Sequence, residues 1–340
     1  MADTVLLTGV SGFLGGHVAA ALLKAGYQVR GSLRSLGKAD HVRATLAKAG
    51  ADVSRLEFVA LDLLSDNGWE AAAQGCRYVA HTASPFVLKM PADKMELIRP
   101  AVEGTERALN AALKANVERV VLTSSMAAIA YGHDRARTAP FTAADWTDLN
   151  GRHVSAYVES KTRAERRAWE LMKSAGREAD LAVINPSGIY GPLLDEDPGT
   201  SVALIIRLLK GAVPAAPRLA FAVIDVRDVA AAHVAALSGA DAGGRRYPMG
   251  EGAVSIMELG NILRRHFPDR ASKMPRFELP DWFVKAVAIF DPELRDNTGE
   301  LGVIRRLDSS DAVALLGRKL IAPEEALVAS ADSLIAHGLA

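Results

Sequence analysis

Apolar residues in the first half of the chain gather into short runs separated by longer amphipathic stretches. The short runs are Thr4–Thr8, Gln28–Leu33, Leu56–Ala60, Tyr78–His81, Arg119–Thr123 and Leu181–Asn185. Several are apolar almost throughout, as strands are when both faces of a sheet are covered. Between them lie Leu14–Lys24, Ala39–Ala49, Gly68–Gln74, Ala101–Ala115 and Tyr157–Ser174, rich in Ala and Leu with charges spaced to one face, the pattern of surface helices. Strands alternating with helices predict an α/β fold with a doubly wound parallel sheet. After Pro186 the regularity fades, and Pro and Gly punctuate Gly188–Gly199 and Pro214–Pro217. Two more helices are predicted near Asp281–Phe290 and Pro323–Ala336, the second opened by Pro323, Glu324 and Glu325, a favourable helix start.

The first strand runs into Thr8-Gly9-Val10-Ser11-Gly12-Phe13-Leu14-Gly15-Gly16, a GxxGxxG turn that opens the first helix. Glycines there permit a tight turn and let backbone N–H groups approach a pyrophosphate at the helix N-terminus, where the helix dipole attracts it. A turn of this kind inside a βαβ pattern points to dinucleotide binding on a Rossmann-type sheet. Residues 1–186 are then the dinucleotide-binding domain. Residues 187–340 form a smaller, irregular, mainly substrate-binding part, with some elements returning to the sheet.

Charge selects the cofactor. NAD-preferring proteins place Asp or Glu about 20 residues beyond the turn to bond the ribose 2′-hydroxyl. Between Asp3 and Asp40 there is no acidic residue, and the second strand ends in Val29-Arg30-Gly31-Ser32-Leu33-Arg34-Ser35 with Lys38 just beyond. Arg34 and Lys38 are suited to grip a 2′-phosphate. NADP(H) is the expected cofactor.

Thr123-Ser124-Ser125 closes the fifth strand, at the edge where ligands of open α/β sheets bind. Tyr157-Val158-Glu159-Ser160-Lys161 opens a long helix, and the spacing of four places Tyr157 and Lys161 on one face. An ammonium beside a phenol favours the phenolate, so Lys161 is expected to lower the pKa of Tyr157 and fit it for proton transfer. A serine hydroxyl orients the substrate oxygen.

These motifs, in this order, resemble the extended short-chain dehydrogenase/reductases, and more narrowly the dihydroflavonol reductase, cinnamoyl-CoA reductase and yeast methylglyoxal reductase group. The resemblance covers nearly the whole chain and includes His81-Thr82-Ala83-Ser84-Pro85-Phe86 and Asn185-Pro186-Ser187-Gly188-Ile189-Tyr190-Gly191-Pro192. It implies Tyr157 as catalytic acid/base, Lys161 on the nicotinamide ribose, and Ser125 orienting the carbonyl, with Ser124 the alternative. It also places Gly9, Gly12, Phe13, Leu14 and Gly15 at the diphosphate and Arg34 and Lys38 at the 2′-phosphate. Asp62 and Leu63 would lie near the adenine, and Thr82, Ala83 and Ser84 along the ribose and diphosphate path. Pro186 and Ser187 would flank the nicotinamide, and Phe86 would face the substrate. Flavonoid reductases of the group carry a polar residue five positions after the catalytic serine. Ala130 stands there in this chain, which argues against a flavonoid pocket. Phe86, Tyr131, Tyr190 and Phe221 are candidates for an apolar wall around an aryl or alkyl ketone.

The implied activity is NADPH-dependent reduction of an aldehyde or ketone, reversible. One alternative is a nucleotide-sugar epimerase or dehydratase, which needs convergent basic residues for a diphosphate; Arg207, Lys210 and Arg218 are the candidates. Another is a catalytically idle NADP-binding sensor, although such sensors often lack the Tyr or Lys present here. Forty basic and 40 acidic residues among 340 give zero formal net charge, which speaks against nucleic acid and anionic membranes as partners. No apolar run approaches the roughly 18 residues of a membrane span, and the N-terminus lacks the basic leader of a signal peptide. A soluble, cytoplasmic monomer or homodimer acting on a small molecule is expected. The one cysteine, Cys76, reads as a buried apolar residue. The eight histidines (His17, His41, His81, His133, His153, His233, His266 and His337) show no paired metal spacing, so no metal is assigned.

Overall fold

The structure, a computed structural model, describes residues 2–85, 93–196, 202–290, 295 and 298–340. Its first half alternates β1 (Thr4–Thr8), α1 (Phe13–Lys24), β2 (Gln28–Leu33), α2 (Ala39–Lys48), β3 (Leu56–Ala60) and α3 (Trp69–Ala73). It continues through β4 (Tyr78–His81), α4 (Met95–Lys114), β5 (Arg119–Thr123), α5 (Ala156–Ser174) and β6 (Leu181–Pro186). Then come β7 (Gly188–Tyr190), α6 (Ala203–Leu209), β8 (Ala216–Pro217), β9 (Ala220–Asp225), α7 (Val226–Ser238), β10 (Arg245–Met249) and β11 (Glu251–Ser255). The chain closes with α8 (Ile256–His266), β12 (Glu278–Leu279), α9 (Asp281–Val287), α10 (Ser310–Leu316) and α11 (Pro323–Ala336).

Seven strands form one parallel sheet in the order β10-β6-β5-β4-β1-β2-β3. Strand order reverses between β1 and β4, so the crevice that can admit a ligand opens beyond their carboxyl ends. The period of two along each strand fills both faces. In β1, Val5 and Leu7 join a core with Leu22 and Leu23 of α1 and Val229 of α7. Leu6 faces the opposite core with Leu109 of α4 and Met172 of α5. The second half builds a separate core on α6, α8 and α11 around the β11-β9-β7 sheet, with Leu208, Val223, Leu259 and Leu327 buried within it. It also returns β10 to the large sheet, alongside β6.

All six strands read from the sequence are present, with β6 one residue longer. Helix α4 begins at Met95, six residues before the expected Ala101. Pro100 lies early enough in it that only the N–H otherwise bonding Glu96 is lost, while its ring is buried among Leu97, Ile98 and Ala101. Helix α9 stops at Val287, short of Phe290, because Ile289 and Phe290 donate three residues back, to Ala286 and Val287.

Leu22 is fully buried between α1 and the sheet. Its replacement by Ala is expected to cost about 2–5 kcal/mol, seen as a lower urea midpoint with an unchanged slope. A loss well under about 1 kcal/mol would mean that α1 closes on the cavity.

Candidate active site

The glycine turn is a place where backbones meet without side chains. Gly9 has φ +74°, and a Cβ there would lie 2.9 Å from Ala83 Cα. A Cβ on Gly15 would lie 2.0 Å from the Gly9 carbonyl oxygen. Gly12 N–H donates to Gly9 O at 3.1 Å, and Gly12 then caps α1 with no side-chain partner and no acidic residue in the first turn. The orphan N–H groups of that turn therefore face the crevice with the positive end of the helix dipole. The side chains of Phe13 and Leu14 pack against the two cores, so what they present to a phosphate is backbone.

The ends of β1 and β4 are latched together. Ala83 N–H donates to the Thr8 hydroxyl at 3.1 Å, Thr82 donates to the Thr8 carbonyl at 2.6 Å, and Thr8 Oγ1 lies 2.8 Å from His81 Nδ1. Burial, with Lys161 nearby, pushes the His81 pKa down to about 3, so the ring is neutral. With Thr8 already accepting from Ala83, its own proton goes to Nδ1. Thr82, Ala83 and Ser84 thereby reach the same crevice as the glycine turn. Phe86 lies outside the described residues.

At the end of β2, Arg34 and Lys38 are exposed and have no ion pair among the described residues. The Ser35 hydroxyl accepts from Gly37 N–H at 3.3 Å and shapes the short turn between them. Asp62 follows β3, its carboxylate accepting from Leu64 N–H at 2.9 Å, and Leu63 packs so closely on α4 that a Cβ on Gly104 would come 2.5 Å from it. Both are half-buried.

Ser155 caps α5, its hydroxyl accepting from Val158 N–H at 3.3 Å. Tyr157 is thus in the first turn and Lys161 one turn on. Ser125 Oγ accepts from Ala127 N–H at 3.1 Å, and its hydroxyl lies close enough to the Tyr157 phenol to favour its ionised form. Lys161 is buried, with its Nζ 5.8 Å from the centre of the Tyr157 ring and no hydrogen-bond partner among the described residues. Desolvation lowers its pKa from 10.5 to about 8. The expected lowering of the Tyr157 pKa is not what the structure gives. Burial raises the phenol above its ordinary 10, and the Ser125 hydrogen bond offsets only part of this. Sequence spacing reports the nearness of Lys161 but not the loss of water around the phenol.

The two serines of the pair part company here. The Ser124 hydroxyl donates to Glu165, while that of Ser125 faces Tyr157. Lys161, His81, Ala83, Ser84, Thr123, Ser124 and Glu165 line one cleft of about 250 Å³. At its far side Pro186 ends β6, and Ser187 N–H donates to Met249 O at 2.8 Å. The buried Ser187 Oγ has no hydrogen-bond partner among the described residues. Tyr190 is only 5% exposed and stacks on Phe221 in the second core, ring centres 5.8 Å apart. Glu165 and Arg246, absent from the sequence reading, lie directly behind the serines with Asn185, which that reading names only within a motif and without a role. Glu165 had a signal, since it stands one helical turn beyond Lys161.

The residues present fit a dinucleotide. The observations that fit are a cradle that a Cβ would fill at Gly9 and Gly15 and, among the described residues, cations without an ion pair at the end of β2, a buried amine and a buried hydroxyl, Ser187, without hydrogen-bond partners.

Residues 5–250 match the NAD-dependent epimerase/dehydratase family. The chain belongs to that family. It is 36% identical to a cinnamoyl-CoA reductase of Medicago truncatula over 277 residues, covering 79% of this chain and 82% of the relative. Yeast methylglyoxal/isovaleraldehyde reductase complexed with NADPH superposes with a TM-score of 0.80 at 26% identity, covering 99% of this chain and all of that one. Its Candida albicans counterpart, also with NADPH, gives 0.79 at 27%, covering 98% and 99%. With these relatives and this fold, the chain is an NADP-dependent oxidoreductase. Among the described residues no helix is long and apolar enough to cross a membrane, and no group of three His, Cys, Asp or Glu is placed to hold a metal.

Lys161 leaves a thermodynamic signature. Its lowered pKa means that the unfolded chain binds more protons than the native one between pH 8 and 10.5, so stability rises with pH through that window. Lys161→Met removes a buried charge whose cost at pH 7 is on the order of 3 kcal/mol. The variant is expected to be more resistant to urea than the parent at pH 7, with the advantage shrinking by pH 10. Equal midpoints at pH 7 would show that Lys161 is solvated in the native state.

Proposed function

We propose that the chain is an NADPH-dependent carbonyl reductase that converts an aldehyde or ketone to an alcohol, reversibly. The observation that carries this reading is the convergence of three side chains: Tyr157 with Ser125 beside it, and Lys161 one helical turn on, its Nζ 5.8 Å from the centre of the Tyr157 ring. The nicotinamide, when bound, supplies the hydride. Ser125 accepts from Ala127 N–H, which leaves its proton to hold the carbonyl oxygen in place. Tyr157 gives its proton to the oxygen as negative charge develops there. A phenol that burial keeps protonated is an acid ready for the reductive direction. Lys161, protonated below about pH 8, favours the transient phenolate and donates to the ribose hydroxyls.

Arg34 and Lys38 hold the 2′-phosphate, and Ser187 and Pro186 flank the nicotinamide. Asp62 and Leu63 border the adenine. Relatives named as cinnamoyl-CoA and methylglyoxal/isovaleraldehyde reductases support a small carbonyl substrate. The diphosphate reading loses one of its cations, because Arg218 is committed to Asp281 through Nε at 3.2 Å and Nη2 at 2.6 Å. In this reading the enzyme is cytoplasmic and works as a monomer or homodimer.

NADPH oxidation measured beside NADH, against aromatic aldehydes, diketones, keto esters and a dihydroflavonol, tests the assignment. Tyr157→Phe is expected to lower kcat by about 10²–10⁴-fold while NADPH still binds; turnover at the parent rate would remove Tyr157 as the acid. Arg34→Ala deletes a charge-assisted contact of about 1.5–3 kcal/mol. It is expected to raise the KM for NADPH by about 10–100-fold and leave that for NADH unchanged. Equal losses with both cofactors would mean that Arg34 does not read the phosphate.

A further inference from the structure

Behind the two serines a carboxylate and a guanidinium are paired out of contact with water. Glu165 is 1% exposed and Arg246 7%, and Arg246 Nε donates to Glu165 Oε1 at 2.5 Å. Glu165 Oε2 accepts from the Ser124 hydroxyl and from Asn185 Nδ2, the latter at 2.7 Å. The same Asn185 amide reaches the Ser125 carbonyl at 3.4 Å. Arg246 Nη1 donates to the carbonyls of Ala143 at 2.8 Å and Asp145 at 2.5 Å, and the guanidinium lies 3.9 Å from the centre of the Trp146 ring.

Stability does not explain such a pair. Desolvating two charges costs several kcal/mol per ion, and apolar residues of similar volume are often as good or better. What the pair does is join the pieces that carry the proposed chemistry. Glu165 stands on the helix of Tyr157 and Lys161, at four-residue intervals along one face. Ser124 directly follows β5, Asn185 is the penultimate residue of β6, and Arg246 comes from β10. The carbonyls that Arg246 holds belong to the segment leading into α5. Ser125 is tied to this clamp through Asn185, and Tyr157 through the helix it shares with Glu165.

We propose that Glu165 and Arg246 are positioning residues that set the Ser125 hydroxyl against Tyr157. The kinetic part of this proposal rests on the reductase reading; the geometric part does not. Glu165→Gln keeps the shape and removes the charge, and the double variant Glu165→Gln/Arg246→Met removes both charges. With phenylglyoxal and NADPH, kcat is expected to fall about 10²-fold in each, the scale of a roughly 1 Å misplacement, with NADPH affinity unchanged by fluorescence titration. The double variant is expected to regain the unfolding midpoint that the single one loses, while its kcat stays low. A kcat that recovers with the midpoint overturns the proposal.

The Ser125–Tyr157 contact is read without substrate from ¹³Cζ-tyrosine NMR, the Tyr157 resonance being the one lost in Tyr157→Phe. It is expected to move in the double variant, which carries the test if the single one does not fold. An unmoved resonance overturns the proposal. If the parent protein reduces no carbonyl, the reductase reading fails, and the NMR shift alone decides the positioning role.

Discussion

No side chain fits where β1, β4 and α1 come together. A Cβ on Gly15 would sit 2.0 Å from the Gly9 oxygen, and one on Gly9 2.9 Å from Ala83 Cα. Any bulk there would push α1 off the sheet edge, and with it the N–H groups that face the crevice. The same contact seats Ala83 so that its N–H reaches Thr8, and Thr8 in turn holds His81. The phosphate cradle and one wall of the catalytic cleft are thus a single construction. Lys161 lines that cleft with His81 and Ala83, so the spacing between the glycine turn and the Tyr157 helix depends on it.

Electrostatics around the cleft follow from exclusion of water more than from neighbouring charges. His81 is kept neutral, Lys161 is lowered to about 8, and the Tyr157 phenol is raised, each with desolvation as the largest cause. Glu165 lines the cleft too, yet its carboxylate is answered by Arg246 on the far side. Among the described residues Lys161 has no hydrogen-bond partner, and a buried amine of that kind gains most from a ligand that offers it hydroxyl acceptors.

Much of this was legible in the sequence, for reasons that also mark the limit. Strands β1, β4, β5 and β6 are covered on both faces, so their apolar runs are almost unbroken. The glycine turn, Arg34 and the Tyr157–Lys161 spacing are local, and local patterns survive in a linear reading. Helix α4 starts before the expected Ala101, and its first residues are harder to read from sequence because Pro100 falls among them. The Tyr157 pKa was given the wrong sign because spacing measures distance along a helix and says nothing of burial. Glu165 and Arg246 are 81 positions apart, and no periodicity links a helix to the strand that returns from the second half of the chain.

The proposed site sets two kinds of physics side by side. Arg34 and Lys38 are exposed cations, so the attraction proposed for them toward a phosphate is long-range and screened over about 8 Å at physiological salt. Ser125 and Lys161 are buried, where hydrogen bonds act in a lower dielectric and salt screens them much less. In the proposed reading, cofactor discrimination at Arg34 is therefore sensitive to ionic strength, while the proton transfer proposed for Tyr157 is much less so.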